Sequence, residues 1–417
     1  MTTTPIERSY SLQVAEATLM NELDKLGYHY EFQYAGEYIY TCKCIISEKG
    51  SGNFLASGNG KGELIASRVG SLFEATEHLF SHYDFINQDK IVYSNSLSFC
   101  QDNSMCDTLP LAILKSAEDS KMPFLKYKGV NGDESCFYPL ALSCPSYIDS
   151  LLGNSDLKKW DSFNYERLEH YSSNSGVAIG MNREESIIHG LLENIERSSF
   201  SKFLTNTFLL NERKYLRVIN PQTLPQNVIN VFDRIEKELN SKVLIFEMPN
   251  KFGVPAHCSW MEQDEFKIGI AGFGCSLSTE HSILRSLYEL AQYFLLSKHI
   301  HGFDWLKTLD EDTLSQLEGL PFHQSCAKFN LGLKCEELGF ELINYEELAK
   351  FKFSKNPKKY LGQLTDIIYS NGEVPFASEL KIIGSNINIT HTFITGEDRF
   401  FNVRNGKSAF PINLENE

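Results

Sequence analysis

The stretch NSGVAIGMNREESIIHGLLENIER, residues 174–197, decides how this chain is read. It runs as a short strand, glycines, and then a helix that continues through SSFSKFL. In that helix Glu193, Glu196 and Arg197 fall at i, i+3 and i+4 and so share one face, beside an apolar stripe of Ile187, Ile188, Leu191, Leu192 and Ile195. The bland account is a solvated ion pair contributing about 0.2–0.5 kcal/mol. The preceding loop argues for more, because Asn174, Ser175, Gly176 and Gly180 offer small polar groups and open backbone amides suited to an anion. His189 stands one turn before Glu193 on the same face, placed either to bond a nucleotide or simply to pack.

The same grammar occurs on both sides of this stretch. Upstream, GNGKG introduces a helix over about 63–80 that carries Glu74 and Glu77 at i and i+3, after a loop offering Lys61. It is not a Walker A loop, since Lys61 is followed by glycine and Leu55 stands where the first glycine belongs. Downstream, IGIAGFGCSLS leads into a helix with Arg285, Glu289 and Gln292 at i, i+4 and i+7. If the three helices converge, Glu74, Glu77, Glu193 and Glu196 share one pocket, which like charges tolerate only with multivalent cations. Magnesium is the natural ion, being hard, oxygen-seeking and usually shared between carboxylates and a nucleotide's phosphates. Lys61, Arg197 and Arg285 then balance the phosphates.

Around these units the chain opens with a helix over about 10–26 that stops at Gly27. YHYEFQY, EYIYTCKCII and NFLAS then read as a small antiparallel sheet. The middle alternates a helix (QNVINVFDRIEKELN) with strands (KVLIFEM, VPAHCSWM), and the tail contributes strands around KIIGSNINITHTFI. No low-complexity linker separates the parts. The pattern predicts one interwoven α+β domain, in which residues 1–55 form a helix and small sheet and residues 56–417 the nucleotide-binding core.

Bulk properties exclude several classes. With 42% hydrophobic residues over 417 positions the chain can bury a substantial core. The formal charge of −15 repels polyphosphate backbones, and no local basic patch stands out, so nucleic acid is not an expected partner. The N-terminus MTTTPIERSYSLQ lacks a signal-peptide pattern, and no uncharged apolar run of about 18 residues occurs, so a cytoplasmic location and no membrane contact are expected. Ten irregularly spaced cysteines, with Cys42 and Cys44 alternating along a strand, make no zinc knuckle and are assigned no chemistry. The eleven histidines form no HExxH pair, and His257 reads as a core or edge residue.

Taken together, SGNGKGELIASRVGSLFEATEH, NSGVAIGMNREESIIHGLLENIER and AGFGCSLSTEHSILRSLYELAQ resemble, in order and spacing, the YcaO family of ATP-dependent peptide-backbone modifiers. The opening helix with its LGY and the tail from DIIYSNGEVPF resemble the family's start and end. The resemblance implies an ATP site in which Glu74, Glu77, Glu193 and Glu196 hold magnesium and Arg197 and Arg285 meet phosphate. It also implies that Arg8 sits where the family can place a basic nucleotide-binding residue; a plain surface arginine is the other reading. In azoline-forming members a Cys, Ser or Thr side chain attacks the preceding carbonyl, ATP phosphorylates the former amide oxygen, and loss of phosphate closes the ring. This is sensible chemistry, because an amide oxygen leaves only once converted to a better leaving group.

The chain departs from the family pattern in several places. Its Ser-Asn appears reversed as Asn174 and Ser175, the serine four residues before Glu74 is Gly70, and Gln292 is followed two residues on by Phe294 instead of arginine. The end, AFPINLENE, has only Pro411 where many azoline-forming members carry a proline-rich tail. The leading expectation is an ATP-dependent cyclodehydratase acting on a ribosomally made precursor peptide, with a leader-binding E1-like partner and a flavin dehydrogenase. Thioamide formation or modification of a ribosomal protein by the same site, and a non-catalytic nucleotide-binding scaffold, are the alternatives. A homodimer is the default oligomer.

Overall fold

The computed structural model describes residues 4–97, 109–210 and 216–412. The end of the tail, residues 413–417, therefore lies outside the described residues. Helix α1 (Leu12–Lys25) begins at Ser11, whose hydroxyl accepts the Val14 amide, and gives way at Gly27, where φ of +80° suits glycine. Strands β1 (Tyr28–Ala35), β2 (Tyr40–Glu48) and β3 (Phe54–Gly62) then form an antiparallel sheet in that order. Cys42 and Cys44 alternate into its buried face, and burial pushes the Cys44 thiol up to about 12, which leaves it inert.

Helix α2 (Leu64–Ser81) lies across β3 and β2. Here the structure corrects one expectation: GNGKG is not a loop before the helix but the second half of β3, and residues 55 and 56 sit inside that strand. The reason is steric. Ala56, Gly58, Gly60 and Gly62 alternate toward α2, and a Cβ on Gly58 would overlap the Ala75 nitrogen while one on Gly60 would overlap the Ser67 carbonyl. Glycine here lets strand and helix backbones touch, and the other face of the strand carries Asn59 and Lys61.

Strands β4 (Ile91–Asn95), β5 (Lys121–Gly129), β6 (Ser135–Pro139) and β7 (Val177–Gly180) begin a second sheet that the end of the chain completes. Helix α3 (Arg183–Leu204) follows β7, capped by the Asn182 side chain on the Glu185 amide. A third sheet has the order β11-β10-β9-β8-β12, from β8 (Leu216–Ile219), β9 (Val243–Glu247), β10 (Ala256–Met261), β11 (Ala271–Cys275) and β12 (Phe340–Ile343). Helix α4 (Gln226–Leu239) packs on α5 (Thr279–Leu295), which lies over β11 and β10. Gly272 and Gly274 repeat the β3 device, since a Cβ on either would collide with the α5 backbone. Helix α6 (Phe303–Gln316) and two short helices, Pro321–Lys328 and Leu331–Leu338, lead to β12.

Helix α7 (Pro357–Ser370) packs on α3, and β13 (Pro375–Ile383) and β14 (Ile387–Ile394) then join the second sheet, giving β4-β5-β13-β14-β7 with β6 beside β5. β12 and β8 run parallel; the other strand pairs are antiparallel. His257 proves to be a core residue on β10, its Nδ1 2.8 Å from Ser282 Oγ, and burial drives its pKa down to about 3. Lys350, Lys352, Lys355, Lys358 and Lys359 are all exposed, a local run of cations that follows the exposed Glu346 and Glu347. Among the described residues no helix is long and apolar enough to cross a membrane.

Candidate active site

Three strand–helix pairs, β3–α2, β7–α3 and β11–α5, turn their polar faces to one another. Hydrogen bonds and ion pairs stitch them across. Lys61 of β3 is ion-paired with Glu289 of α5, whose other oxygen accepts the Phe273 amide of β11 at 3.3 Å. Glu77 of α2 accepts the Ile179 amide of β7 at 2.9 Å. On α3, Glu193 lies 3.7 Å from Arg197 and 3.5 Å from the Gly176 amide.

The segment before α3 was expected to present open amides to an anion, and the structure turns them elsewhere. Gly176 N–H faces Glu193, Ile179 N–H is bound by Glu77, and the Ser175 amide is held by Ser173 Oγ at 3.1 Å. β7 is the edge of its sheet, so its outward amides need partners, and neighbouring carboxylates provide them. Asn174 is exposed at the head of the turn, while Ser175 is buried.

The electrostatics are those of crowded acids. Burial first, then Glu193 and Glu74, holds the Glu77 carboxyl well above the ordinary range. Glu74 and Glu193 are raised by burial with Glu289 adding to it. Glu196, only 4% exposed, is pushed from 4.5 up to about 7 by burial and then by Glu289. Glu289 is the exception: burial would raise it, but Lys61, Arg197 and Arg285 outweigh that and keep it ionised. Burial works against the charge on Arg197 and Arg285, yet the surrounding carboxylates raise both. His189 is driven well below its usual value by burial, then by Arg285, Arg8 and Lys61, so its ring is neutral.

What these residues fit can be judged from their unused bonding capacity. Among the described residues thirteen buried side-chain polar atoms lack a hydrogen-bond partner, and six lie here: Asn59 Oδ1, Ser175 Oγ, His189 Nδ1, Glu196 Oε2, Arg197 Nε and Arg285 Nε. Buried polar atoms are otherwise nearly always paired, so such a concentration marks a surface shaped for a polar ligand. Hard carboxylate oxygens suit magnesium, and unpaired guanidinium donors suit phosphate. Among the described residues no three His, Cys, Asp or Glu side chains are already drawn together in a metal-holding group. Glu74 and Glu77 stand on α2 and Glu193 and Glu196 on α3, and Glu77 and Glu193 lean on the Ile179 and Gly176 amides.

Arg8 lies 3.9 Å from Glu185 in the first turn of α3, and its charge is felt by Glu77 and His189. Gln292 is half-buried on α5, and no hydrogen bond or ion pair of the described residues ties its side chain to this group. Sequence reasoning missed Glu7 and His281, which belong to the same charged neighbourhood, with Glu7 Oε2 4.0 Å from His281 Nε2. Neither sits in a periodic pattern; adjacency to Arg8 and a place in the first turn of α5 were the available signals.

Residues 59–372 match a family model described as YcaO cyclodehydratase, ATP- and Mg2+-binding. Among solved structures, the YcaO from Methanopyrus kandleri bound with AMPPCP and Mg2+ is 16% identical, with 99% of each chain covered and a TM-score of 0.66. A heterocyclase in complex with substrate and cofactor is 14% identical, with 94% of this chain and 54% of that one covered and a TM-score of 0.64. The E. coli microcin synthetase McbBCD complex with pro-MccB17 bound is 15% identical, covering 88% and 87%, with a TM-score of 0.55. At these identities the structural likeness is one of fold. No curated protein matches the sequence.

Proposed function

Because the chain belongs to the YcaO cyclodehydratase family, which binds ATP and Mg2+, we propose that it activates backbone amides in a ribosomally made precursor peptide. In that reaction a Cys, Ser or Thr side chain of the peptide adds to the preceding carbonyl, and departure of the former amide oxygen as phosphate leaves a thiazoline or oxazoline. The observation that carries the reading is the knot of buried, unpartnered polar atoms on α3, α5, β3 and the turn before β7. When bound with magnesium, ATP supplies the phosphoryl group that turns the former amide oxygen into a leaving group.

The chain's own residues bind and orient. Glu74, Glu77, Glu193 and Glu196 hold magnesium, whose charge relieves the repulsion that raises their pKa values. Arg197 and Arg285, charged and each with an Nε that makes no hydrogen bond, meet phosphate oxygens, and Lys61, kept near by Glu289, adds a third cation. Neutral His189 is a hydrogen-bonding group for the nucleotide, and Ser175 Oγ is a free hydroxyl on the same wall. Asn174, Gln292 and Arg8 fill the rim in this assignment.

The microcin synthetase to which the chain is similar is a complex with its pro-peptide bound. We assign this chain the same dependence, on a leader-binding E1-like protein and, where azoles form, a flavin dehydrogenase, in the cytoplasm. Incubated with partner, precursor and Mg-ATP, the protein is expected to release ADP and phosphate while the peptide loses the mass of one water per ring. Glu193→Gln is expected to abolish this. Retained turnover in that variant overturns the magnesium assignment, and sulfur gained by the peptide, rather than water lost, overturns cyclodehydration.

A further inference from the structure

Residues 5–9 pass over the ends of α3 and α5 and are tied down at both sides. The centre of that strap is Glu7, buried to 4% exposure in an acidic side chain's least comfortable setting and held at φ +68°, a backbone region that L side chains rarely adopt. Its Oε1 accepts Ser276 Oγ at 2.6 Å and Tyr360 Oη at 2.7 Å. Tyr360, on α7, in turn accepts the Leu277 amide at 2.8 Å, just ahead of α5. The other Glu7 oxygen lies 4.0 Å from His281 in the first turn of α5. One residue further on, the Arg8 guanidinium lies 3.9 Å from Glu185 on α3. Then the Ser9 amide donates to Glu185 at 2.6 Å, and Asn182 Nδ2 donates to Ser9 Oγ at 2.7 Å.

A strained, buried carboxylate persists only where its surroundings over-determine it, and such residues gather at functional sites. The contacts of Glu7 are to the segment ahead of α5, to α7 and to His281, and what they fix is its chain neighbour. We propose that Glu7 is a positioning residue: its carboxylate, clamped by Ser276 and Tyr360, locks the strap so that the Arg8 guanidinium is delivered to the nucleotide pocket beside α3. The strap as a whole joins the N-terminal ends of α3 and α5, through Arg8 and Ser9 on one side and Glu7 on the other, and these two helices carry Glu193, Glu196, Arg197, Arg285 and Glu289. Arg8 therefore acts as a fixed cation rather than a surface side chain free to wander. Burial would raise the Glu7 pKa, but His281 and Arg285 together with the two hydroxyl donors bring it below the ordinary carboxylate value, so the clamp is charged at neutral pH.

The inference rests on the proposed ATP site, and the test separates the two. Affinity of the full chain for the non-hydrolysable analogue AMPPCP with Mg2+ is measured by calorimetry for wild type, Glu7→Gly, Glu7→Gln, Arg8→Ala and the Glu7→Gly/Arg8→Ala double variant. Glycine suits the φ of +68°, so Glu7→Gly adds no backbone strain, while Glu7→Gln keeps the side chain and separates the lost charge from a freer backbone. Glu7→Gly is expected to weaken binding about tenfold, the scale of one lost charge-assisted contact. Glu7→Gln, which keeps one acceptor for both hydroxyls, is expected to recover part of that loss. The double variant is expected to bind no worse than Arg8→Ala alone, because Glu7 acts through Arg8. Losses that multiply in the double variant overturn the positioning role, as does wild-type affinity in Glu7→Gly. If Glu7→Gly fails to fold, Glu7→Gln and its double with Arg8→Ala decide by the same comparison. A wild type that binds no nucleotide overturns the ATP site itself and the inference with it.

Discussion

Replacing Glu196 by Gln should stabilise the ligand-free protein while destroying its response to magnesium and nucleotide. Glu196 is ionised at pH 8 in the unfolded chain at no cost, whereas in the fold burial and Glu289 raise its pKa from 4.5 to about 7. A tenfold change in proton affinity is worth about 1.4 kcal/mol, so the folded state at pH 8 carries a penalty of about 3 kcal/mol that the amide removes. Glu196 Oε2 has no hydrogen-bond partner, so little is lost in exchange. For 417 residues at about 2 cal/mol/K each, that is a melting temperature about 4 °C higher. The sign follows from proton binding: the folded state holds its proton more tightly, so wild-type stability from this group falls as pH rises from 4.5 through 7. The gap between variant and wild type is therefore widest at pH 8, narrows through pH 7 and closes near pH 4.5. Thermal unfolding of both proteins across that range, with and without Mg2+ and AMPPCP, measures it. A variant that melts at or below wild type at pH 8 without ligand, or that gains as much from the ligand as wild type does, would falsify this account of the site.

Other outcomes follow from different parts of the structure. Gly60→Ala forces a Cβ into the Ser67 carbonyl and is expected to lose about 3 kcal/mol by denaturant unfolding, whereas Gly153→Ala, with open space around it, is expected to change little; equal effects would refute the close strand–helix contact. Lys61→Met leaves Glu289 without its ion-pair partner and should weaken AMPPCP and Mg2+ binding at least about tenfold, with a flatter salt dependence than wild type. His257 and His391 are both held near 3 by burial, so the unfolded chain takes up protons that the fold refuses between pH 6.5 and 3, and stability from these residues falls as pH drops. Replacing His257 by Asn should flatten that acid limb in a melting-temperature profile, and an unchanged limb would count against a neutral core imidazole.

Much of the architecture was open to reading because helical spacing and glycine punctuation are local. The helices carrying Glu74, Glu193 and Arg285 begin and end within a residue or two of where their apolar stripes place them. The glycines are legible, but their purpose is not. Phosphate-binding loops and backbone-to-backbone packing both call for a missing Cβ, and only the partner across the gap tells them apart, as Ala75 does for Gly58. The run from α6 to β12 carried weak stripes with exposed apolar residues such as Trp305, Phe322 and Leu333, so periodicity gave little to hold. Glu7 was invisible for another reason. Its partners, Ser276 and Tyr360, lie hundreds of positions away, and no local pattern announces a contact of that span. The lysines of residues 350–359 are legible locally, but the net charge of the whole chain masks them.

The glycine seams also govern how the site can move. Where a strand rests directly on helix backbone, no layer of side chains remains to compress or slide, so strand and helix turn together as a single stiff lever. Two such levers, β3–α2 and β11–α5, meet at the acids. The pocket is then free to tighten by small rotations of whole units, while the spacing of Glu193, Glu196 and Arg197 along their own helix stays constant.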